Sequence, residues 1–174
     1  PDTDALLVRA YRAGDERAAT GLVARHAASL GRYLYSSGAG PDEIDDYVQE
    51  AFFRAFSRLE TWRGDASFRS WLFTIAGNLL KDEFRRRKGR RMISIDSRHD
   101  LAGSSDPAGE LAVGDAETVI RRGLATLPRL QREVFLLRVE GAEYADIAVA
   151  LGTTPGAARV HYHHAVRTLK ELLR

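Results

Sequence analysis

Apolar positions in this 174-residue chain recur mostly at helical spacing, and the alternation typical of strands is rare. The clearest stretch begins near Pro41, a residue suited to the first turn of a helix. From Ile44 to Leu59, apolar side chains fall at i, i+3, i+4, i+7, i+8, i+11, i+12 and i+15, which places them on one helical face. The pattern predicts an all-α protein.

Three further helices are predicted in the N-terminal half. One contains Leu6 to Tyr11, and one runs from about Asp15 to Leu34. The other carries an apolar stripe of Phe68, Trp71, Leu72, Ile75, Ala76 and Leu79, with Asp65 or Ser67 as its expected cap. This stripe predicts that Phe68 and Trp71 are buried, and that Trp62 and Phe73 lie off the buried face.

Residues 92–112 separate two helical halves. The segment is rich in Ser, Gly, Asp and Pro and has no sustained apolar period, which is typical of a flexible linker. Helices are predicted after it at residues 113–126, 128–140, 143–151 and 154–173. We therefore expect two small helical domains, residues 1–91 and 113–174, joined by this linker.

The last two predicted helices have the pattern of a helix-turn-helix. In "EYADIAVALGTTPGAARVHYHHAV" a turn at Gly152 separates them, and Thr154 with Pro155 opens the second. The second helix of such a unit enters the DNA major groove. Its predicted inner face is Ala158, Tyr162, Ala165 and Leu169, and the opposite face holds Val160, His163, His164 and Arg167, with Arg159 on the flank. A plain helical hairpin is the alternative.

The charge of the chain is unevenly distributed, although its net value is only +2. Residues 1–91 and 118–174 have net charges of +3 and +4, whereas residues 92–117 have a net charge of −5. Within "FRRRKGRR", residues 84–91, six of eight side chains are basic, which suits phosphate binding or a solvated helix end. Trp62 and Phe73 lie upstream and are candidate platforms for unstacked bases.

A second face of the helix after Pro41 carries polar groups next to an aromatic ring. Asp46, Gln49, Glu50 and Phe53 fall at i, i+3, i+4 and i+7. Acids and an amide beside an exposed ring favour a surface for docking another protein, while a merely solvated acidic face is the alternative.

The sequence predicts neither catalysis nor a bound cofactor. The chain has no cysteine, no glycine-rich phosphate loop and no nucleophile elbow. His161 and His164 could share a metal, but a stable site needs three or four ligands. No apolar run approaches the roughly 20 residues of a membrane-spanning helix, and the N-terminus does not resemble a signal peptide. We therefore expect a cytoplasmic protein.

Three segments in this order resemble bacterial RNA polymerase sigma factors of the extracytoplasmic-function group. They are "DDYVQEAFFRAF", "TWRGDASFRSWLFTIAGNLLKDEFRRRKGRR" and "LPRLQREVFLLRVEGAEYADIAVALGTTPGAARVHYHHAV". The resemblance implies region 2 before the linker, region 4 after it, and core RNA polymerase and promoter DNA as partners. It also implies that the chain directs polymerase to specific promoters and helps to melt the −10 element.

The resemblance further assigns residues to each partner. Asp46, Gln49 and Glu50, together with Phe53, would bind core polymerase at the clamp helices of its β′ subunit, and the β flap would be a further contact of the chain with polymerase. The −10 element would be met by Trp62, Phe73, Asn78, Arg85, Arg86, Arg87, Lys88, Arg90 and Arg91. The −35 element would be met by Thr154, Arg159, Val160, His163, His164 and Arg167.

The recognition helix departs from the pattern of the family. Ala157, Val160, His161 and His164 stand where relatives are richer in arginine. Many relatives are held inactive by an anti-sigma factor, which makes such a protein a further candidate partner. The alternative function is a dimeric helix-turn-helix regulator that binds duplex DNA without polymerase, and the Asp46–Gln49–Glu50 row argues against it.

Overall fold

The computed structural model describes residues 2–95 and 115–174, with the side chains of residues 2–90 and 116–174. All regular structure within these ranges is helical, which confirms the all-α prediction. The eight α-helices are α1 Thr3–Arg12, α2 Arg17–Ser36, α3 Ile44–Ser57, α4 Phe68–Ile95, α5 Asp115–Thr126, α6 Arg129–Val139, α7 Tyr144–Leu151 and α8 Pro155–Leu172.

Two predicted boundaries differ from the observed ones by three residues or more. Helix α4 continues to Ile95, past the expected start of the linker at residue 92, and residues 96–112 lie outside the described ranges. Pro41 opens a short 3-10 turn, Pro41–Glu43, in which the amide of Glu43 donates to the carbonyl of Gly40 at 2.9 Å. The α-helix itself therefore begins three residues later than expected.

Side chains and one glycine fix the helix ends nearest the candidate sites. The Ser67 hydroxyl accepts a hydrogen bond from the Ser70 amide at 3.1 Å, so Ser67 rather than Asp65 caps α4. The Thr154 hydroxyl accepts from the Ala157 amide at 3.1 Å and caps α8. Gly152, with φ of +67°, ends α7 in the left-handed conformation that glycine adopts without a Cβ clash.

The first module, residues 2–95, is built around the packing of α4 against α2 and α3. Its buried side chains include Leu22, Leu30 and Leu34 of α2, Ala51 and Ala55 of α3, and Leu72 and Ala76 of α4.

A buried polar cluster joins α1 to α2 in this module. His26 Nε2 lies 2.7 Å from Asp4 Oδ2, and Arg25 Nε donates to Asp4 Oδ1 at 2.8 Å. Burial lowers the pKa of His26, although the Asp4 carboxylate opposes this shift. The imidazole is therefore held mainly as the neutral form, tied by its hydrogen bond to the first turn of α1.

In the second module, residues 115–174, α8 packs against α5, α6 and α7. Ala158, Ala165 and Leu169 are buried, and the Tyr162 ring stacks on Phe135 with centroids 6.0 Å apart. The predicted inner face of α8 is confirmed.

Apolar side chains of both modules belong to one continuous buried cluster, and several ion pairs join the modules as well. Arg69 of α4 donates to the backbone carbonyl of Glu140, and its Nη2 lies 3.7 Å from the Glu140 carboxylate. Arg32 approaches the same carboxylate at 3.4 Å. Lys81 of α4 pairs with Glu133 of α6. Acids of the second module therefore meet bases of the first.

Candidate nucleic-acid and protein interfaces

The predicted docking row on α3 faces solvent. Asp46, Gln49 and Glu50 are exposed, and 66% of Phe53 is accessible. The other side of α3 carries buried Phe52, so the helix is anchored by one face and presents the other. A phenyl ring this exposed beside two carboxylates is an apolar spot with a polar rim, the composition of many protein interfaces.

One acid of this row is already paired within the helix. Glu50 Oε1 accepts a hydrogen bond from Arg54 Nε at 3.1 Å, and both side chains are partly exposed. Exposed pairs spaced by four residues contribute only about 0.3–0.5 kcal/mol. A partner can therefore take over the Glu50 carboxylate at little cost.

Phe73 does not lie where its spacing predicts. It is only 1% exposed, its ring centroid lies 5.1 Å from that of Tyr33, and the Arg69 guanidinium covers it at 5.2 Å. The expectation that Phe73 lies off the buried face is therefore wrong. The reason is that α2 packs against α4 beside the main apolar stripe and widens the buried face. We do not retain Phe73 as a DNA contact.

Trp62 is half-buried in the loop before α4. Its indole Nε1 donates to the carbonyl of Ala66 at 3.0 Å, and its ring meets Phe68 edge-on at 6.1 Å. Arg12 donates to the Trp62 carbonyl at 3.1 Å. The indole is thus fixed by the loop and the start of α4, with part of its surface open to solvent. Trp71, expected in the core beside Phe68, is also only partly buried.

Asn78 is exposed at the middle of α4 and lies well away from Trp62. Phe68, which contacts Trp62, precedes Asn78 by ten residues, or roughly 15 Å of helix. Asn78 lies instead in a groove with five cations, which are Arg54, Arg58, Lys81, Arg85 and Arg129. One acid, Asp82, also lines this groove, so Asn78 lies among more cations than carboxylates.

Three arginines of the basic run on α4 form ion pairs with nearby acids. Arg85 and Arg86 lie 3.8 Å from Asp82 and Glu83, respectively, and Arg87 bridges Glu83 and Glu43. Hydrogen bonding to the Glu43 carboxylate raises the pKa of Arg87.

Other cations of the basic run are not paired with an acid of the described residues. Lys88 and Arg90 are exposed and have no carboxylate within 4 Å among the described residues. Arg91 belongs to α4, but its side chain lies outside the described part of the chain. The exposed pairs along this helix are weak enough for phosphates to displace them.

The outer face of α8 is open. Arg159, His163, His164 and Arg167 are exposed, and Val160 is 51% accessible. Thr154 is exposed at the N-terminus, and His161 lies half-buried to the side. A helix with one apolar side packed and the opposite side free is what major-groove binding requires.

One contact on this surface was not foreseen. The guanidinium carbons of Arg138 and Arg159 lie 4.5 Å and 5.0 Å from the centroid of the Tyr144 ring. Helical spacing within each helix cannot detect a contact that joins α6, α7 and α8.

The described ranges hold neither a metal-ligand cluster nor a membrane-spanning helix. Among residues 2–95 and 115–174 no three His, Asp or Glu side chains are grouped so that they could hold a metal ion. No helix in the described part of the chain combines the length and apolar character needed to cross a membrane.

Two all-helical modules, the second ending in a helix-turn-helix with an open outer face, define a class of DNA-binding transcription proteins. Residues 22–90 match the family model for Sigma-70 region 2, and residues 118–169 match that for Sigma-70, region 4. The chain belongs to the sigma-70 family of RNA polymerase sigma factors, in the extracytoplasmic-function group. It is a transcription initiation factor that directs core RNA polymerase to promoter DNA.

Individual relatives span most of the chain. The extracytoplasmic-function sigma factor SigF of Caulobacter vibrioides is 31% identical over 79% of this chain and 74% of its own. CnrH of Cupriavidus metallidurans is 31% identical over 99% of this chain and 95% of its own.

Solved structures agree with the sequence relatives. A structure of CnrH in complex with the cytosolic domain of CnrY covers 99% of this chain and 97% of that one, with a TM-score of 0.74 and 27% identity. RpoE of Bartonella quintana, in complex with the anti-sigma factor NepR, shares the fold, with a TM-score of 0.67 and 24% identity over 88% of this chain and 95% of that one.

Proposed function

We propose that three surfaces of this chain divide the work of initiation: the α3 face docks on core polymerase, the α4 surface melts and holds the −10 element, and α8 reads the −35 element. The observation that carries the proposal is the exposed row of Asp46, Gln49, Glu50 and Phe53 within the region 2 match. A regulator that acts without polymerase has no use for such a surface. The dimeric regulator is therefore not favoured.

The docking surface is expected to meet basic groups on the polymerase clamp helices. Asp46 and Glu50 are one helical turn apart on the same face, and Phe53 continues that face by nearly another turn. The ring supplies an apolar anchor, while the carboxylates fix the register against cations of the partner. Such anchors often account for much of the binding energy of an interface.

The −10 surface combines Trp62 with the groove around Asn78. Unstacking a base costs a few kcal/mol, which the protein must offset with contacts to the extruded base and its neighbouring phosphates. The part-exposed indole offers a stacking surface, and Asn78 offers an amide among cations. Because Phe68, the α4 residue that contacts Trp62, precedes Asn78 by roughly 15 Å of helix, we assign Trp62 and Asn78 to different nucleotides of the single strand.

The −35 surface is the outer face of α8. The side chains of Arg159, His163 and His164 occupy the positions from which a recognition helix reaches base edges, and Arg167 lies one turn further on. Thr154, exposed at the N-terminus of α8, is placed to contact the DNA backbone when the −35 element binds. The scarcity of arginine on this face favours a −35 sequence that differs from those read by arginine-rich relatives.

We further infer that the chain acts in the cytoplasm, by binding rather than by catalysis, and under a protein inhibitor. The first two points follow from the need to reach core polymerase and from the family. The third is supported by CnrH and RpoE, which were solved in complex with CnrY and the anti-sigma factor NepR, respectively.

The docking surface is tested with two charge-matched double variants. We expect Asp46→Ala with Glu50→Ala to weaken binding to core polymerase by about 2 kcal/mol or more, the loss typical of interface hot spots. The control is Glu117→Ala with Glu171→Ala, which removes two exposed acids from the second module.

The readouts are the dissociation constant for core polymerase and run-off transcription from genomic fragments. Equal polymerase binding by both double variants would exclude α3 as the docking surface. Binding without any run-off product from the parent protein would contradict the wider assignment of the three surfaces.

A further inference from the structure

The Tyr144 ring lies where three helices of the second module meet. It is the first residue of α7, and it contacts Arg138 from α6 and Arg159 from α8. The π face of a tyrosine attracts a guanidinium through its quadrupole, and arginine also stacks well on an aromatic plane. The ring thus holds a cation from each neighbouring helix.

The two arginines differ in what else they contact. Arg138 donates from Nη1 to the Ala142 carbonyl at 2.9 Å, and the same nitrogen lies 3.9 Å from the Glu143 carboxylate. Arg138 is therefore fixed inside the module. Arg159 is exposed and has no carboxylate within 4 Å among the described residues. Its guanidinium lies on the Tyr144 ring at the flank of the outer face of α8, without an acid of the described residues to neutralise it.

The ring itself is held in place by the core. Tyr144 meets Tyr162 edge-on at 6.3 Å, and Tyr162 in turn stacks on Phe135 at 6.0 Å. An arginine side chain loses much rotamer freedom when it binds DNA, and that loss lowers affinity. A fixed ring beneath the guanidinium removes part of this loss before DNA arrives.

We propose that Tyr144 is a positioning residue for DNA recognition, because its ring holds the Arg159 guanidinium ready for a pair of acceptors on the −35 duplex. The proposal rests on the proposed role of α8. Guanine O6 and N7 form such a pair in the major groove, and the oxygens of one phosphate form another. Both sources share the same chemistry, and the experiment separates them.

The test is a double-mutant cycle on the intact protein bound to core polymerase. A random-sequence duplex pool is first selected with the parent holoenzyme, and the best duplex is then used for every variant. We expect Tyr144→Leu and Arg159→Gln each to weaken binding by about tenfold, the size of one good base or phosphate contact. The double variant should be no weaker than Arg159→Gln alone, because Tyr144 acts through Arg159.

Two controls separate positioning from packing. Tyr144→Phe keeps the ring and should bind within about twofold of the parent, since the stacking surface is retained. Arg167→Gln, on the same face of α8, should combine multiplicatively with Tyr144→Leu. If Tyr144→Leu fails to fold, Tyr144→Ile or Tyr144→Met replaces it in the cycle with Arg159→Gln. Tyr144→Phe remains the variant with which it is compared.

The outcomes distinguish failure of this proposal from failure of the proposed function. If the losses of DNA affinity caused by Tyr144→Leu and Arg159→Gln multiply in the double variant, Tyr144 only packs the module. The proposal is then overturned, while α8 still binds DNA. If neither Arg159→Gln nor Arg167→Gln alters binding, the role of α8 is itself wrong and the proposal falls with it.

Whether Arg159 contacts a base or a phosphate is shown by how DNA binding is lost in the Arg159→Gln variant. A base contact would appear as relaxed preference at one position of the reselected duplexes. A phosphate contact would appear as uniform weakening, with the slope of log affinity against log salt reduced by about 1.

Discussion

Helices α4 and α8 are both long and both carry candidate DNA-binding residues, yet they are packed differently. Helix α4 contacts α1, α2, α3 and, from the second module, α7. Helix α8 contacts α5, α6 and α7, all of which lie against one side of it. A helix with neighbours on several sides buries residues outside its main apolar stripe, whereas a helix with neighbours on one side exposes the opposite side completely.

The sharpest test of this contrast compares one residue from each helix. We expect Phe73→Ala to lower the free energy of unfolding by about 3–5 kcal/mol, because it removes a fully buried ring and leaves a cavity. Val160→Ala, on the open side of α8, should change it by less than about 0.5 kcal/mol. Urea unfolding followed by circular dichroism measures both. A similar, small loss for both variants would mean that Phe73 is not part of the core.

The contrast also explains which features could be predicted from sequence. The helices and the inner face of α8 follow from local spacing, because Ala158, Ala165 and Leu169 are buried on a single stripe that also carries the partly buried Tyr162. The docking row on α3 was placed on the exposed side for the same reason.

Other features depend on how helices pack, which spacing within one helix does not record. Phe73 was misplaced because α2 covers a second side of α4, and the Tyr144 contacts join three separate helices.

The helix caps give a smaller comparison between the modules. Removing either cap hydroxyl, by Ser67→Ala or Thr154→Ala, should cost about 1 kcal/mol, since each leaves one amide at a helix N-terminus without its acceptor. The amides of Ser70 and Ala157 should then exchange hydrogen faster, each in its own variant. The Ser67 backbone amide still donates to Asp146 at 3.3 Å, so contact between the modules should persist in Ser67→Ala. Unchanged exchange at Ser70 would show that Ser67 is not the cap.

The smallest expected difference between the modules is in how their stability depends on pH. His26 is buried, and its pKa is lowered from 6.5 chiefly by burial, while the nearby Arg69 and Arg25 lower it further and Asp4 raises it. The unfolded chain therefore binds a proton at a higher pH than the folded chain does. Stability should fall as the pH drops from 6.5 to the folded pKa of His26 and should level off below it.

The check is urea unfolding between about pH 8 and pH 5, the range in which histidine titrates. His26→Gln, which can still donate to Asp4, should flatten the dependence. His163→Gln, on the exposed face of α8, serves as the control. Equal slopes for His26→Gln and the parent would contradict a depressed pKa at His26.

The charged contact between the modules gives ionic strength two opposing effects on DNA binding. Lys81, one of the cations around Asn78, forms an ion pair with Glu133 of the second module. Salt screens this pair and frees Lys81, but it also weakens the attraction of Lys81 to phosphates. Affinity for promoter DNA should therefore fall less steeply with salt than the number of phosphate contacts alone would dictate, so the protein should tolerate changes in cellular salt better than either module would in isolation.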